Sequence, residues 1–329
     1  MPVYNECSFQ VKYRRKIFEQ IALLAYSNAR EALYRLVPKS VVTEMAENTA
    51  DNEVTSDLDY AAESCCAALG LEPVGYKDLF LDNMGGEHGK AMGNNVLCTL
   101  KSVCHKCANI QGRERPCAKA CMCDAIKTDS LGSTVIDGTK CDSCGRCLLA
   151  CPYGAIIDKS AIVQVIQEIH NGRHIYAILT PGLSQQFSTR FSEMELTEAF
   201  RILGFYDVVE LDDEEESPRS GKGSACIGWR AEESRNHISC CVSKIEEYRD
   251  GIRDEILYVC GYDPNACFVL VTPCVISKIE GVRLKDSLYV SYVLDFEELA
   301  GMLEARAVEK DLIRPFELES LKHISCTHI

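Results

Sequence analysis

The chain predicts a mixed fold, an α+β segment followed by an α/β unit, and three observations carry that prediction. Ten of its 20 cysteines fall between Cys98 and Cys151. Downstream, apolar runs of strand length alternate with helical periodicity, the pattern of strand–helix–strand units and a parallel sheet. Upstream, apolar residues recur at helical spacing. We expect three parts: a helical N-terminal region over 1–95, a cysteine-rich segment over 96–159, and an α/β domain over 160–329.

The first helix is expected over 14–36, where Ile17, Phe18, Ile21, Leu24, Ala25, Leu33 and Leu36 recur at helical spacing and Pro38 follows as a stop. Arg14 and Arg15 read as a solvated first turn rather than an export signal. A second helix is expected over 61–69, with Cys65 and Cys66 as buried small apolar residues, because adjacent positions point about 100° apart and cannot easily share one ion. The glycines at 85, 86 and 89 mark a connection.

Clustered cysteines without an apolar leader argue for metal rather than disulfides, and for a reducing cytoplasm and anaerobic handling. Cys141, Cys144, Cys147 and Cys151, followed by Pro152, form a C-x₂-C-x₂-C-x₃-C-P run, the spacing of bacterial ferredoxins. Three thiolates of such a run hold three irons of a 4Fe–4S cube, and the fourth serves a neighbouring one. A second set lies upstream at Cys104, Cys107, Cys117 and Cys121, its third cysteine displaced by a longer loop. The sequence after Cys121 (Met-Cys-Asp-Ala-Ile) parallels that after Cys151 (Pro-Tyr-Gly-Ala-Ile), and 133–137 reads as the strand that pairs the two halves. The alternative is a zinc ribbon, since paired C-x₂-C is also zinc spacing. Cys98 and Cys123 are left unassigned, with shielding or packing as the default.

This segment resembles dicluster ferredoxin domains. The resemblance implies two 4Fe–4S clusters in a crossed pattern, one on Cys104, Cys107, Cys117 and Cys151, the other on Cys121, Cys141, Cys144 and Cys147.

After Cys151 we expect a helix over 161–169, a strand over 174–180, a helix over 193–203 stopped by Gly204, and a strand over 206–211. Further strands are expected over 267–272 and 288–294, and a last helix over 296–305. Thr180-Pro-Gly and Thr272-Pro-Cys fall at the carboxyl ends of strands, where open α/β sheets place their chemistry. The acidic run 212–216 reads as a solvated loop.

Ser239-Cys240-Cys241 and the stretch from Thr272 to Glu280 (Thr-Pro-Cys-Val-Ile-Ser-Lys-Ile-Glu), downstream of a two-cluster segment, resemble the large subunit of iron-only (FeFe) hydrogenases. Residues 177–187, 200–210 and 291–299 extend the likeness. It implies Cys240 as a proton relay, Cys241 and Cys274 as ligands of a third 4Fe–4S cube or an H-cluster, and Glu280 in the catalytic machinery. Val242 stands where the family has proline, Ser277 where it has lysine (with Lys278 adjacent), and the third ligand motif is absent. Cys226, Cys260, Cys267 or Cys326, or a residue of another chain, would have to complete a third site. The other reading keeps Cys240, Cys241 and Cys274 as core residues of a metal-free domain.

A net charge of −14 without a basic stripe speaks against nucleic acid, and no apolar run has membrane-spanning length. The expected function is therefore electron transfer or redox sensing with a redox protein partner, a ferredoxin or an oxidoreductase or hydrogenase subunit. The alternative is an active hydrogenase. Oligomeric state is left open.

Overall fold

The computed structural model describes residues 3–28, 58–75, 96–104, 107, 114–130, 132–180, 193–210, 245, 248–272 and 274–306. Helix α1 spans Val3–Tyr26 and α2 Leu58–Ala68. The cysteine-rich segment follows with β1 (Leu97–Thr99), α3 (Lys101–Cys104), α4 (Pro116–Ala120), β2 (Ile126–Thr128), β3 (Thr134–Ile136), α5 (Arg146–Ala150) and β4 (Ile156–Asp158). The α/β part runs α6 (Ile162–His170), β5 (His174–Leu179), α7 (Glu193–Leu203), β6 (Asp207–Glu210), α8 (Arg249–Cys260), β7 (Ala266–Thr272), α9 (Val275–Leu288), β8 (Tyr292–Asp295) and α10 (Phe296–Ala305). The mixed fold class is as the sequence predicts.

In the cysteine-rich segment β1 pairs with β4 and β2 with β3, both antiparallel. Each pairing joins a strand of the first half to one of the second. The α/β part is a parallel sheet in the order β6–β5–β7–β8. Strand order reverses between β5 and β7, so their carboxyl ends flank the crevice where such sheets bind ligands.

Alternation along the strands explains why β5 and β7 are almost wholly apolar: both faces are covered. Ile175, Ala177 and Leu179 of β5, with Val269 and Val271 of β7, face a core built with α1, α6, α7 and α10. Tyr176, Ile178, Phe268 and Leu270 face a second core containing Ile252 and Ile256 of α8 and Ile276 and Ile279 of α9. Leu97, Cys117, Cys147, Leu148, Leu149 and Ile156 join that second core, so the cysteine-rich segment docks on α9. Gly145, at φ +74°, makes the contact close: a Cβ there would lie 3.3 Å from Ile279 Cδ1.

Below this contact lies a buried charge cluster. Lys278 Nζ of α9 sits 2.6 Å from Asp158 Oδ2 and 2.8 Å from Glu298 Oε2, with all three side chains fully buried. Arg14 of α1 meets Asp158 Oδ1 at 2.5 Å. Asp295 caps α10 in a reciprocal capping box with Glu298. Asp158 closes the last strand of the cysteine-rich segment, so the cluster ties that segment to α1, α9 and α10.

Several expectations are corrected. Helix α1 begins earlier than residue 14 and ends at Tyr26, where Ser27 Oγ donates to Leu23 O and Asn28 takes φ +56°. Leu33, Leu36 and Pro38 lie outside the described residues, as do the glycines at 85, 86 and 89 and the acidic run. Arg14 and Arg15 do not form a solvated turn, because Arg14 binds Asp158 and Arg15 makes a two-pronged pair with Glu297. The strand expected over 288–294 is only Tyr292–Asp295, since Leu288 ends α9 and Tyr289 caps it in the left-handed region. Cys65 and Cys66 are both buried and point into different apolar clusters, as small core residues do.

Candidate iron–sulfur centres

Cys104, Cys107, Cys117 and Cys151 line one common pocket, although Cys151 stands 34 positions or more from the other three. Cys104 ends α3 and Cys117 opens α4 behind Pro116, whose missing N–H costs nothing at a helix start. Cys151 caps α5 in extended conformation, which turns its thiol away from its own run. Burial pushes the Cys107 thiol above its usual range, followed by repulsion from Cys151 and Cys104. Burial likewise raises Cys117, against a hydrogen bond from Thr134. Four thiols converging on a shared pocket are arranged to lose their protons together to a metal.

The other set gathers around the Cys141–Cys147 loop. Burial raises the Cys147 thiol most, then the proximity of Cys141 and Cys144. Cys141 is raised by burial and then by Asp142 and Cys121, so Cys121 is a neighbour despite being 20 positions away. Burial also acts upward on Cys121, but N–H donors from Ala125 and Cys123 outweigh it and its pKa falls. Cys147 also feels Cys117, so the two sets adjoin. All eight cysteines of the two sets are free thiols. The donor sets thus fit four-thiolate clusters, in the crossed grouping that the ferredoxin likeness implies.

The pseudo-symmetric halves share one detail. Ala155 N–H donates to Cys151 Sγ at 3.2 Å, and Ala125 N–H to Cys121 Sγ at 3.3 Å. They differ in another. Arg115 Nη1 approaches Cys104 Sγ at 3.3 Å, Thr134 N–H donates to the same sulfur at 3.2 Å, and Thr134 Oγ1 lies 3.6 Å from Cys117 Sγ. Sequence reasoning missed Arg115 and Thr134. The signal for them was an arginine immediately before Pro-Cys and a threonine inside the predicted pairing strand.

Of the unassigned cysteines, Cys98 packs with Ala67, Leu100 and Ile157 in a small apolar cluster. Cys123 is half-buried beside Cys121 and Asp142.

The second constellation is only partly described. Cys240, Cys241, Cys226 and Cys326 lie outside the described residues. Cys274 is buried at the N-cap of α9, at the carboxyl end of β7, with its Sγ 3.6 Å from Ser277 Oγ. Thr180 N–H and Oγ1 both donate to Val271 O on the neighbouring strand. The two strand ends singled out in the sequence therefore meet at the switch point. Glu280 is buried in α9, 3.8 Å from Arg283 Nη2, and six positions beyond Cys274, about 9 Å along the helix axis. Lys278 does not replace the lysine missing at Ser277, because its ammonium is committed to Asp158, Glu298 and the Lys159 carbonyl. Cys267 and Cys260 cannot complete a site at Cys274. Cys267 faces the opposite core near the start of β7, about 20 Å away along the strand, and Cys260 ends α8 at that same far end.

Residues 111–162 match the family described as the LdpA Fe-S cluster-binding domain. A tetrathionate reductase subunit of Archaeoglobus fulgidus is 34% identical over 99 residues, 29% of this chain and 42% of the relative. An uncharacterized ferredoxin of Methanocaldococcus jannaschii is 37% identical over 59 residues, 18% of this chain and 35% of the relative. The formate dehydrogenase iron–sulfur subunit of Wolinella succinogenes is 37% identical over 57 residues, 17% of this chain and 26% of the relative. The chain spans about two fifths or less of the length of these relatives. The fold and thiol sets, with these likenesses, define an iron–sulfur cluster-binding protein of ferredoxin type. Among the described residues no helix is long and apolar enough to cross a membrane.

Proposed function

We propose that this chain is an electron-transfer subunit that holds two 4Fe–4S clusters in the segment 96–159 and exchanges single electrons with a partner oxidoreductase in the cytoplasm. The observation that carries the reading is the convergence of Cys151 with Cys104, Cys107 and Cys117 on one pocket. A bound cube accepts and releases one electron within a thiolate cage. The chain's own residues do the rest: the eight cysteines hold and orient, Ala125 and Ala155 donate to ligand sulfurs, and the α9 contact shields Cys117 and Cys147 from water. The relatives' printed names, subunits of tetrathionate reductase and formate dehydrogenase, support a partner of that kind. The test is iron content in single-site variants of anaerobically prepared protein. Cys151→Ala and Cys144→Ala should each lose about half the iron, and the double variant nearly all of it. Full retention of iron by either single variant would refute the assignment.

A second reading, an iron-only-hydrogenase-like site in the α/β part, is favoured by the burial of Cys274 at the sheet's switch point. It takes Cys241 and Cys274 as ligands of a third cube or an H-cluster, Cys240 as proton relay and Glu280 as a catalytic group. Hydrogen turnover abolished by Cys241→Ala and by Cys274→Ala would establish it. Turnover absent from iron-loaded wild type, with iron unchanged in both variants, would reject it.

A further inference from the structure

The two thiol sets share the N–H bonds from Ala155 and Ala125, so those contacts cancel in any comparison between them. What remains is unequal. Around Cys104 and Cys117 stand a guanidinium, a backbone N–H and a hydroxyl. The guanidinium is braced, since Arg115 Nη1 also donates to Thr134 Oγ1 at 3.1 Å and Nη2 donates to the Gly132 carbonyl. Around Cys141 and Cys144 the Ser143 N–H and hydroxyl and the Arg146 N–H also reach sulfur, so the difference lies in charge. In place of a braced guanidinium stands the Asp142 carboxylate, whose Oδ1 accepts the Cys144 N–H at 3.2 Å and withdraws that donor from the sulfurs. The Arg146 N–H acts on Cys144 in the opposite sense and more strongly than Asp142, whereas the Arg146 charge acts more weakly than the carboxylate.

Adding an electron makes a thiolate-bound cluster more negative, so nearby donors and cations favour the reduced form and carboxylates oppose it. Burial works the other way, and the first set has two buried thiols, Cys104 and Cys117, against one, Cys147, in the second. A full positive charge at hydrogen-bond distance from a ligand sulfur outweighs one additional buried thiol.

We propose that Arg115, braced by Thr134, sets the Cys104–Cys107–Cys117–Cys151 site at the more positive reduction potential of the pair, so that an electron taken up by the protein rests on that side. Asp142 sets the other site lower. The relay is thereby directional: a low-potential donor is served at the Cys141–Cys144 loop, and an acceptor draws from the Arg115 side. This rests on the two-cluster reading above.

The test is a redox titration followed by electron paramagnetic resonance on the full chain, anaerobically loaded, with iron counted on the same sample. Iron well short of about eight per chain would refute the two-cluster reading, whereas potentials test the role of Arg115. In Arg115→Met the higher potential should fall by at least tenfold in the reduction equilibrium, about 59 mV for one electron, while the lower moves less. Arg115→Lys should recover part of that loss, and Thr134→Val should lower the same potential by a smaller step. Asp142→Asn should raise the lower one. If Arg115→Met loads no iron, Arg115→Lys and Thr134→Val decide. A higher potential unmoved in every loaded variant at positions 115 and 134, or a shift of the lower one instead, would overturn the proposal.

Discussion

The cysteine-rich segment and the parallel sheet are built on opposite principles. Strands β1 to β4 have three residues each and α3 to α5 four or five, too short to persist alone in water. The parallel sheet has strands of up to seven residues, and β5 and β7 are buried on both faces by helices of nine to 24 residues. The sheet is held by apolar burial. The cysteine-rich segment has to draw stability from metal–thiolate bonds and from its docking on α9. A fold can thus give its chemistry to its least self-sufficient part when a rigid neighbour supports that part.

The strongest way to break this comparison is to remove iron. Chelation should strip hydrogen-exchange protection from α4, α5, β2 and β3 while β5 and β7 keep theirs. Simultaneous loss in both regions would show that the sheet also depends on the clusters.

The next largest effect should come from the charge cluster that joins the regions. Lys278→Met leaves Asp158 and Glu298 buried without their ammonium, and should cost about 3–5 kcal/mol in urea unfolding. A cost under about 1 kcal/mol would mean that water reaches the site.

Gly301→Ala tests packing of the N-terminal helix on the α/β part. The added Cβ would lie 2.5 Å from Phe18 Cβ and 3.0 Å from Glu19 N, so α1 and α10 must separate. The expected loss is about 1–3 kcal/mol, read as a lower thermal midpoint with unchanged iron content.

The smallest effect is a pH dependence. The charge cluster holds two cations, Arg14 and Lys278, against three carboxyls, Asp158, Asp295 and Glu298. Burial, then repulsion from Glu298, pushes Asp295 up to about 8. An unfolded Asp releases its proton near pH 4, so between about pH 4 and 8 the folded chain keeps a proton that the unfolded chain has lost. Stability from this group therefore falls as pH rises through that window and levels off above it. Asp295→Asn keeps a capping side chain and should flatten the decline between pH 6 and 8 by about 1 kcal/mol. Parallel profiles for the two proteins would contradict this.

Local signals were readable and distant ones were not. The helix over 193–203 and the apolar strands β5 and β7 are evident because periodicity and burial coincide there. The Cys141–Cys151 run announces its chemistry by spacing alone. Helix α9 is hidden because it is buried on several sides: Lys278 and Glu280 interrupt any apolar stripe, and only the structure shows Lys278 paired 120 positions away. Arg115 and Thr134 were illegible for the same reason, since their meaning depends on which sulfur they reach.

The most direct test of the account is iron, acid-labile sulfide and zinc per chain, on protein purified or reconstituted without oxygen. The account predicts about eight irons and eight sulfides. Zinc in place of iron, with no labile sulfide, would contradict it.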